Sequence, residues 1–110
     1  MTTREDVARL ALGLPGVAQA DHFAAPSFGV KGKAFAILRE EGRVTLKLDP
    51  EDQANLMLAR PGVVEPVSGG GARVEKAARQ GWSFVRYELC DAAEMERLLR
   101  LAWEEVAGRG

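Results

Sequence analysis

The stretch DHFAAPSFGVKGKAFAILREEGRVTLKLDP, Asp21 to Pro50, decides the fold. Its short apolar runs are separated by two turn signals, Lys31-Gly32 and Glu41-Gly42, whose glycines supply the positive backbone angles of tight hairpins. Val44, Leu46 and Leu48 alternate with Arg43, Thr45 and Lys47. That period of two puts apolar groups on one face of a strand and polar groups on the other. The segment reads as an antiparallel meander with strands over 18–23, 27–30 after a break at Pro26, 33–39 and 43–48. Because the fourth strand is apolar on one side alone, the sheet is expected to be covered on one face only.

The flanking segments supply the cover. Thr2 and Glu5 stand in capping-box spacing, and Val7, Leu10 and Ala11 follow at helical spacing until Gly13 and Pro15. Asp49-Pro50-Glu51-Asp52 combines an N-cap, a proline at the first helical position and two acids at the positive end of the helix dipole, so a helix runs to about Arg60. Pro61-Gly62 ends it. Val63 to Val67 reads as a strand whose Pro66 suits a sheet edge. Ser68 to Gly81 holds three consecutive glycines and then ARVEKAARQ, which fits either two helical turns or a mobile connector. Trp82 to Leu89 reads as a strand by its aromatic and branched content. Asp91 and Glu94 cap a last helix in which Met95, Leu98, Leu99, Ala102, Trp103 and Val106 recur at helical spacing. This order predicts a single domain over 1–110, a two-layer α+β fold with helices on one face of an antiparallel sheet.

A chain of 110 residues is long enough to bury a core without disulfides or structural metal. The formal charge of −1 and pI near 5.9 provide no global field that would draw in nucleic acid or an anionic membrane. Cys90 is the single cysteine, which excludes an intrachain disulfide. No apolar run approaches the ~20 residues of a membrane span, and the N-terminus is not a charged segment followed by an apolar one. A soluble, cytoplasmic protein is expected.

Catalytic and metal signatures are weak. His22 is the single histidine, with no second histidine or paired cysteines to complete a metal site. It is expected to end a strand and hold a hydrogen bond near the Pro26 turn. Cys90 follows an apolar strand and reads as a small buried filler, since an activated thiolate wants a base or a cation beside it. Ser68-Gly69-Gly70-Gly71 is not followed by Gly-Lys-Ser/Thr, so it reads as a connector and not a phosphate loop. Glu40, Glu41, Asp49, Glu51 and Asp52 lie in turns and at a helix start. The sequence therefore predicts no cofactor, no metal and no enzymatic activity.

The candidate site is the polar face of the sheet. If Val44, Leu46 and Leu48 point inward, Arg43, Thr45 and Lys47 point outward. One alternation of the last strand adds Trp82, Phe84 and Arg86, with Ser83, Val85, Tyr87 and Leu89 opposite. With Lys31 and Lys33 of the neighbouring hairpin, these form a basic and aromatic surface of the kind that stacks on and neutralises a nucleic acid or another planar anion. The alternative is that Trp82 and Phe84 pack against the long loop, against a second subunit, or inward.

LPGV at Leu14 to Val17, HF at His22-Phe23, PSF at Pro26 to Phe28, GKAFA at Gly32 to Ala36, LKLDPE at Leu46 to Glu51, GW at Gly81-Trp82 and LLRLAW at Leu98 to Trp103 run in order along nearly the whole chain. Together they resemble the MmcQ/YjbR family. The resemblance implies a compact α+β domain similar to secretion-chaperone-like and double-wing arrangements. Members are commonly labelled DNA-binding, so the resemblance also implies weak, non-specific DNA binding, for which Lys31, Lys33, Arg43, Lys47 and Arg86 are the candidate contacts. The other reading is an adaptor that binds a protein or small ligand on the aromatic sheet face. Two departures stand out: Gly29 occupies a position where a basic residue often follows PSF, and 68–80 is longer than the usual link into the GW strand.

Overall fold

A computed structural model describes residues 1–108. The first helix, α1 (Arg4–Leu12), is capped by Thr3, whose hydroxyl accepts from the Asp6 N–H while the Asp6 carboxylate accepts from the Thr3 N–H at 3.0 Å. The capping box thus lies one residue later than the Thr2/Glu5 pair expected from spacing. Either threonine is followed by an acid three residues on, and a tertiary contact decides between them. The Thr2 hydroxyl donates to the Cys90 carbonyl at 2.7 Å and is buried there.

The meander forms as expected: β1 (Val17–His22), β2 (Ala25–Val30), β3 (Lys33–Glu40) and β4 (Arg43–Lys47). Two-residue turns with both central residues at positive φ, Phe23-Ala24 and Lys31-Gly32, join the first three strands. Pro26 does not break β2 but lies inside it, opposite Asp21 of β1. Pairing with β3 begins only at Ser27, so no β3 partner needs the missing N–H. A bulge follows. Phe28 pairs with Ala36 but Gly29 pairs with Ala34, which leaves Phe35 as an extra residue, and Phe35 and Ala36 both enter the core.

After β4 come α2 (Pro50–Ala59), β5 (Val64–Pro66), α3 (Ala72–Arg79), β6 (Trp82–Val85), a 3-10 turn over Tyr87–Leu89, and α4 (Ala92–Ala107). The six strands are antiparallel in the order β1-β2-β3-β4-β6-β5. β5, with Pro66, sits on the edge as its proline requires. ARVEKAARQ takes the helical alternative.

The last strand is shorter than expected. It stops at Val85 because the chain turns into the 3-10 segment, where Tyr87 is buried and its phenol oxygen accepts the Gly42 N–H of the β3–β4 hairpin at 2.9 Å. Leu89, expected to point inward, is exposed as a result.

Register divides the sheet into two chemically distinct faces. One complete cross-strand row runs Gln19, Phe28, Ala36, Leu46, Ser83, Pro66. Phe28, Ala36 and Leu46 of this row form one core with Val7 and Ala11 of α1 and Met95, Leu98, Leu99 and Ala102 of α4. α4 lies across β2, β3 and β4 and against α1, while α2 and α3 flank β5 and β6. Burial of such aliphatic and aromatic groups stabilises a fold by about 1.5–3 kcal/mol per side chain.

The polar members of this layer are satisfied. The Gln53 amide nitrogen, buried on α2, shares its two N–H groups among the Ala78 carbonyl (3.2 Å), the Trp82 carbonyl (3.1 Å) and Ser83 Oγ (2.9 Å), and Ser83 Oγ in turn donates to the Gly81 carbonyl (3.0 Å). These bonds fix α2, α3 and the start of β6 to one another. Arg60 closes α2 onto α4 through Glu94 at 2.7 Å. Among the described residues no helix is long and apolar enough to cross a membrane.

Candidate functional site: the uncovered sheet face

The adjacent row has the opposite parity: Ala20, Ser27, Ile37, Thr45, Phe84, Glu65. None of its members belongs to the helix-packed core cluster, although Ser27 (6% exposed) and Ile37 (8%) in the middle of the row are themselves buried. The row crosses all six strands and divides into two halves of different chemistry.

On β4 and β6 the face is aromatic and charged. Phe84 lies opposite Thr45, and Trp82 opposite Lys47. Both aromatic side chains are half-buried, on the side away from the helices as alternation predicts. The Arg43 guanidinium stacks on the Phe84 ring, 3.7 Å from its centroid, and also pairs with Glu40 at 2.9 Å. Lys47 donates to its neighbour's carbonyl, Leu48, at 3.0 Å and to Glu105 of α4 at 3.3 Å. Each of these two cations thus faces a carboxylate of the same chain.

The remaining predicted residues are not gathered with them. Lys33 pairs with Val30, a core residue, and so has the parity of the helix-covered side; it is exposed at the start of β3. Lys31 is exposed in the β2–β3 turn. Arg86 lies beyond the last paired residue of β6, exposed, with its N–H given to the Val63 carbonyl at 2.9 Å. Of the expected surface, Arg43 and Phe84 are in contact and Lys47 and Trp82 are register neighbours, but the Lys47 ammonium reaches Glu105 of α4, the helix on the covered side, and Lys31, Lys33 and Arg86 stand apart.

On β1 and β2, and at Ala34 of β3 beside the buried Ile37, the face is built of small residues, which sequence reading missed. Ala18, Ala20, His22, Ser27, Gly29 and Ala34 line a depression of about 280 Å³, with Asp21 and Lys31 also in its lining. Gly29 is required by the backbone: a Cβ there would stand 2.5 Å from the Lys33 carbonyl oxygen and 2.9 Å from its carbon, where the bulge draws β3 close. The signal was present in the alternation of Ala18 and Ala20 along β1, opposite Gly29 and Ser27.

The other sequence candidates lie elsewhere. Cys90 is buried, 2% exposed, and burial pushes its thiol up to about 11, with the Glu94 charge adding to the effect. A thiol held that way is the reverse of an activated nucleophile. His22 ends β1 as expected, but its ring meets Phe23 edge-on at 4.8 Å, and no side-chain hydrogen bond to it is formed among the described residues. Ser68 to Gly71 lead into α3, whose cap residue Gly71 supplies no side-chain bond. Among the described residues no three His, Cys, Asp or Glu side chains cluster to hold a metal.

An antiparallel sheet with helices on one side and a mixed aromatic, charged and small-residue surface on the other defines a class of two-layer α+β domain. The YjbR family model matches residues 12–105, and the chain belongs to that family. Its fold is similar to the crystal structure of Deinococcus radiodurans protein DR2400, described by the family-model domain DUF419. The TM-score is 0.77 at 23% identity, over 100% of this chain and 82% of that one. The comparison with curated proteins found no match.

Proposed function

We propose that this chain is a non-enzymatic binding module whose recognition surface is the uncovered sheet face, and that its ligand is a protein segment or small molecule carrying a planar group. The observation that carries this reading is the row Ala20, Ser27, Ile37, Thr45, Phe84, Glu65, which lies outside the helix-packed core cluster; Ser27 and Ile37 at its middle are buried, and the accessible parts are Ala20 at one end and the half-exposed Thr45, Phe84 and Glu65 at the other. A planar group finds Trp82 and the Arg43-stacked Phe84 at one end of the face, and the small-residue depression gives a side chain room to enter at the other.

DNA binding is the weaker reading. Arg43 and Lys47 already oppose Glu40 and Glu105, and counterion release needs cations free to meet phosphates. Lys31 and Arg86 are free to do so but stand apart from the aromatic patch.

Two titrations of the 15N-labelled protein separate the readings. N-acetyl-tryptophanamide, at millimolar concentration, is expected to shift the amides of Ala20, Ser27, Thr45 and Phe84, and Phe84→Ala to weaken that response several-fold, since aromatic stacking contributes on the order of 1 kcal/mol. A labelled DNA duplex is expected to bind weakly at low salt and negligibly at physiological salt. Duplex binding that survives physiological salt and disappears in Lys31→Glu/Arg86→Glu would replace the proposed reading with the nucleic-acid one. Absence of any face-localised response to the aromatic probe would reject it.

A further inference from the structure

The sheet has two edges, and they are not equally protected. β5 is three residues long and includes Pro66, two of the features that keep a strand edge from pairing with another chain. β1 has neither. It is six residues long, carries no proline or lysine, pairs with β2 at every position without a bulge, and exposes five of its six residues. A regular edge of this kind presents unpaired backbone groups to solvent.

Those groups can be identified. The two-residue turn at Phe23-Ala24 makes His22 and Ala25 the closing hydrogen-bonded pair, so alternation directs the backbone of His22, Ala20 and Ala18 toward β2 and that of Asp21, Gln19 and Val17 outward. The Val17 N–H is taken by the Leu14 carbonyl at 3.4 Å. The N–H and carbonyl groups of Gln19 and Asp21 remain available at the edge.

We infer that two copies of this chain associate through β1, antiparallel about a two-fold axis normal to the sheet, with Gln19 facing Gln19. The segment fits its own copy in this register. Ala18 faces Ala20 of the partner subunit, so two small side chains meet on the uncovered face. The Gln19 side chain, both donor and acceptor, meets its own kind. The two Asp21 carboxylates fall at opposite ends of the seam, where their charges are kept apart.

The same register also accounts for Phe23. This side chain is 89% exposed, at the tip of a turn in which both Phe23 (φ 51°) and Ala24 (φ 67°) adopt the left-handed region without being glycine. A bulky residue in that region is uncommon and strained. Extending the Gln19-centred register past the strand brings Phe23 alongside Pro15 of the partner subunit, an exposed apolar residue. Each copy would thus cover the other's apolar tip. The two uncovered faces become continuous, and the depressions beside Ala18 and Ala20 meet across the two-fold axis.

Sedimentation velocity over a concentration series, paired with amide hydrogen exchange, tests this association. The wild-type chain is expected to pass from monomer to dimer with rising concentration, and the Gln19 and Asp21 amides to exchange about tenfold or more slowly where dimer predominates. Gln19→Pro removes an outward N–H without touching the β2 ladder, and Phe23→Ser removes the exposed ring; both are expected to stay monomeric while retaining the native near-UV spectrum. Should Gln19→Pro fail to fold, Phe23→Ser and the exchange rates decide the question. A wild-type chain that remains monomeric at millimolar concentration would overturn the inference. So would a dimer that persists in Phe23→Ser with the Gln19 and Asp21 amides exchanging freely.

Discussion

Gly81→Ala is expected to abolish stable folding. Gly81 stands at φ +106° just before β6, and a Cβ there would overlap the Leu48 carbonyl oxygen and lie 2.8 Å from its carbon. The obstacle is backbone, which cannot turn aside as a side-chain tip can. The two segments are also tied together, since Leu48 N–H donates to the Gly81 carbonyl at 3.1 Å and the same oxygen accepts from Ser83 Oγ. A left-handed backbone costs an alanine about 1–2 kcal/mol by itself, and separating β4 from the start of β6 raises the total above about 4 kcal/mol. A domain of this size holds roughly 5–15 kcal/mol in all. Gly32→Ala is the control, because Gly32 has φ +82° but nothing within 4 Å of its added Cβ. It should lose only the conformational part. Equal losses for the two variants in urea unfolding would refute the close approach of β6 to Leu48.

The second large effect distinguishes the two sheet faces. Phe28, fully buried in the row with Ala36 and Leu46, is expected to cost about 3–5 kcal/mol when replaced by alanine, through lost burial and the cavity left behind. Phe84 is also an aromatic residue in mid-sheet, but it lies on the opposite side and its identified partner is the Arg43 guanidinium. Phe84→Ala should forfeit that stacking, about 0.5–2 kcal/mol, and little cavity energy. Denaturant midpoints for the two variants should therefore differ clearly, with Phe28→Ala the less stable. Comparable losses would mean that both faces are packed.

Much of this was legible in the chain because the deciding signals are local. The alternation from Arg43 to Leu48 assigns both faces of β4, and the β6 register carries that assignment to Trp82 and Phe84. Pro66 marks its strand as an edge before any partner is known. The misreadings share a different origin: each depends on a contact between distant residues. Plain alternation puts Lys33 with Phe35 and Ile37, but the bulge at Phe35 shifts the register and turns Lys33 to the other side. Arg86 leaves the strand because Tyr87 is drawn toward Gly42, 45 positions away. Lys47 is offset by Glu105, which no local pattern pairs with it. Thr2, a plausible cap by spacing, is held instead by Cys90. The small-residue half of the face escaped notice because alanines and glycine carry no chemical signature until two strands are set side by side.

Solvent paramagnetic relaxation with a soluble gadolinium chelate measures directly whether the two ends of one sheet face are accessible while the other face is sealed. Strong relaxation is predicted for the methyl groups of Ala18, Ala20 and Thr45, and protection for those of Ala36, Leu46 and Leu48, which are fully buried. Protection of Thr45 together with Ala18 and Ala20, to the level of Leu46, under conditions where the chain is monomeric, would contradict the uncovered face and remove the basis for a recognition surface there.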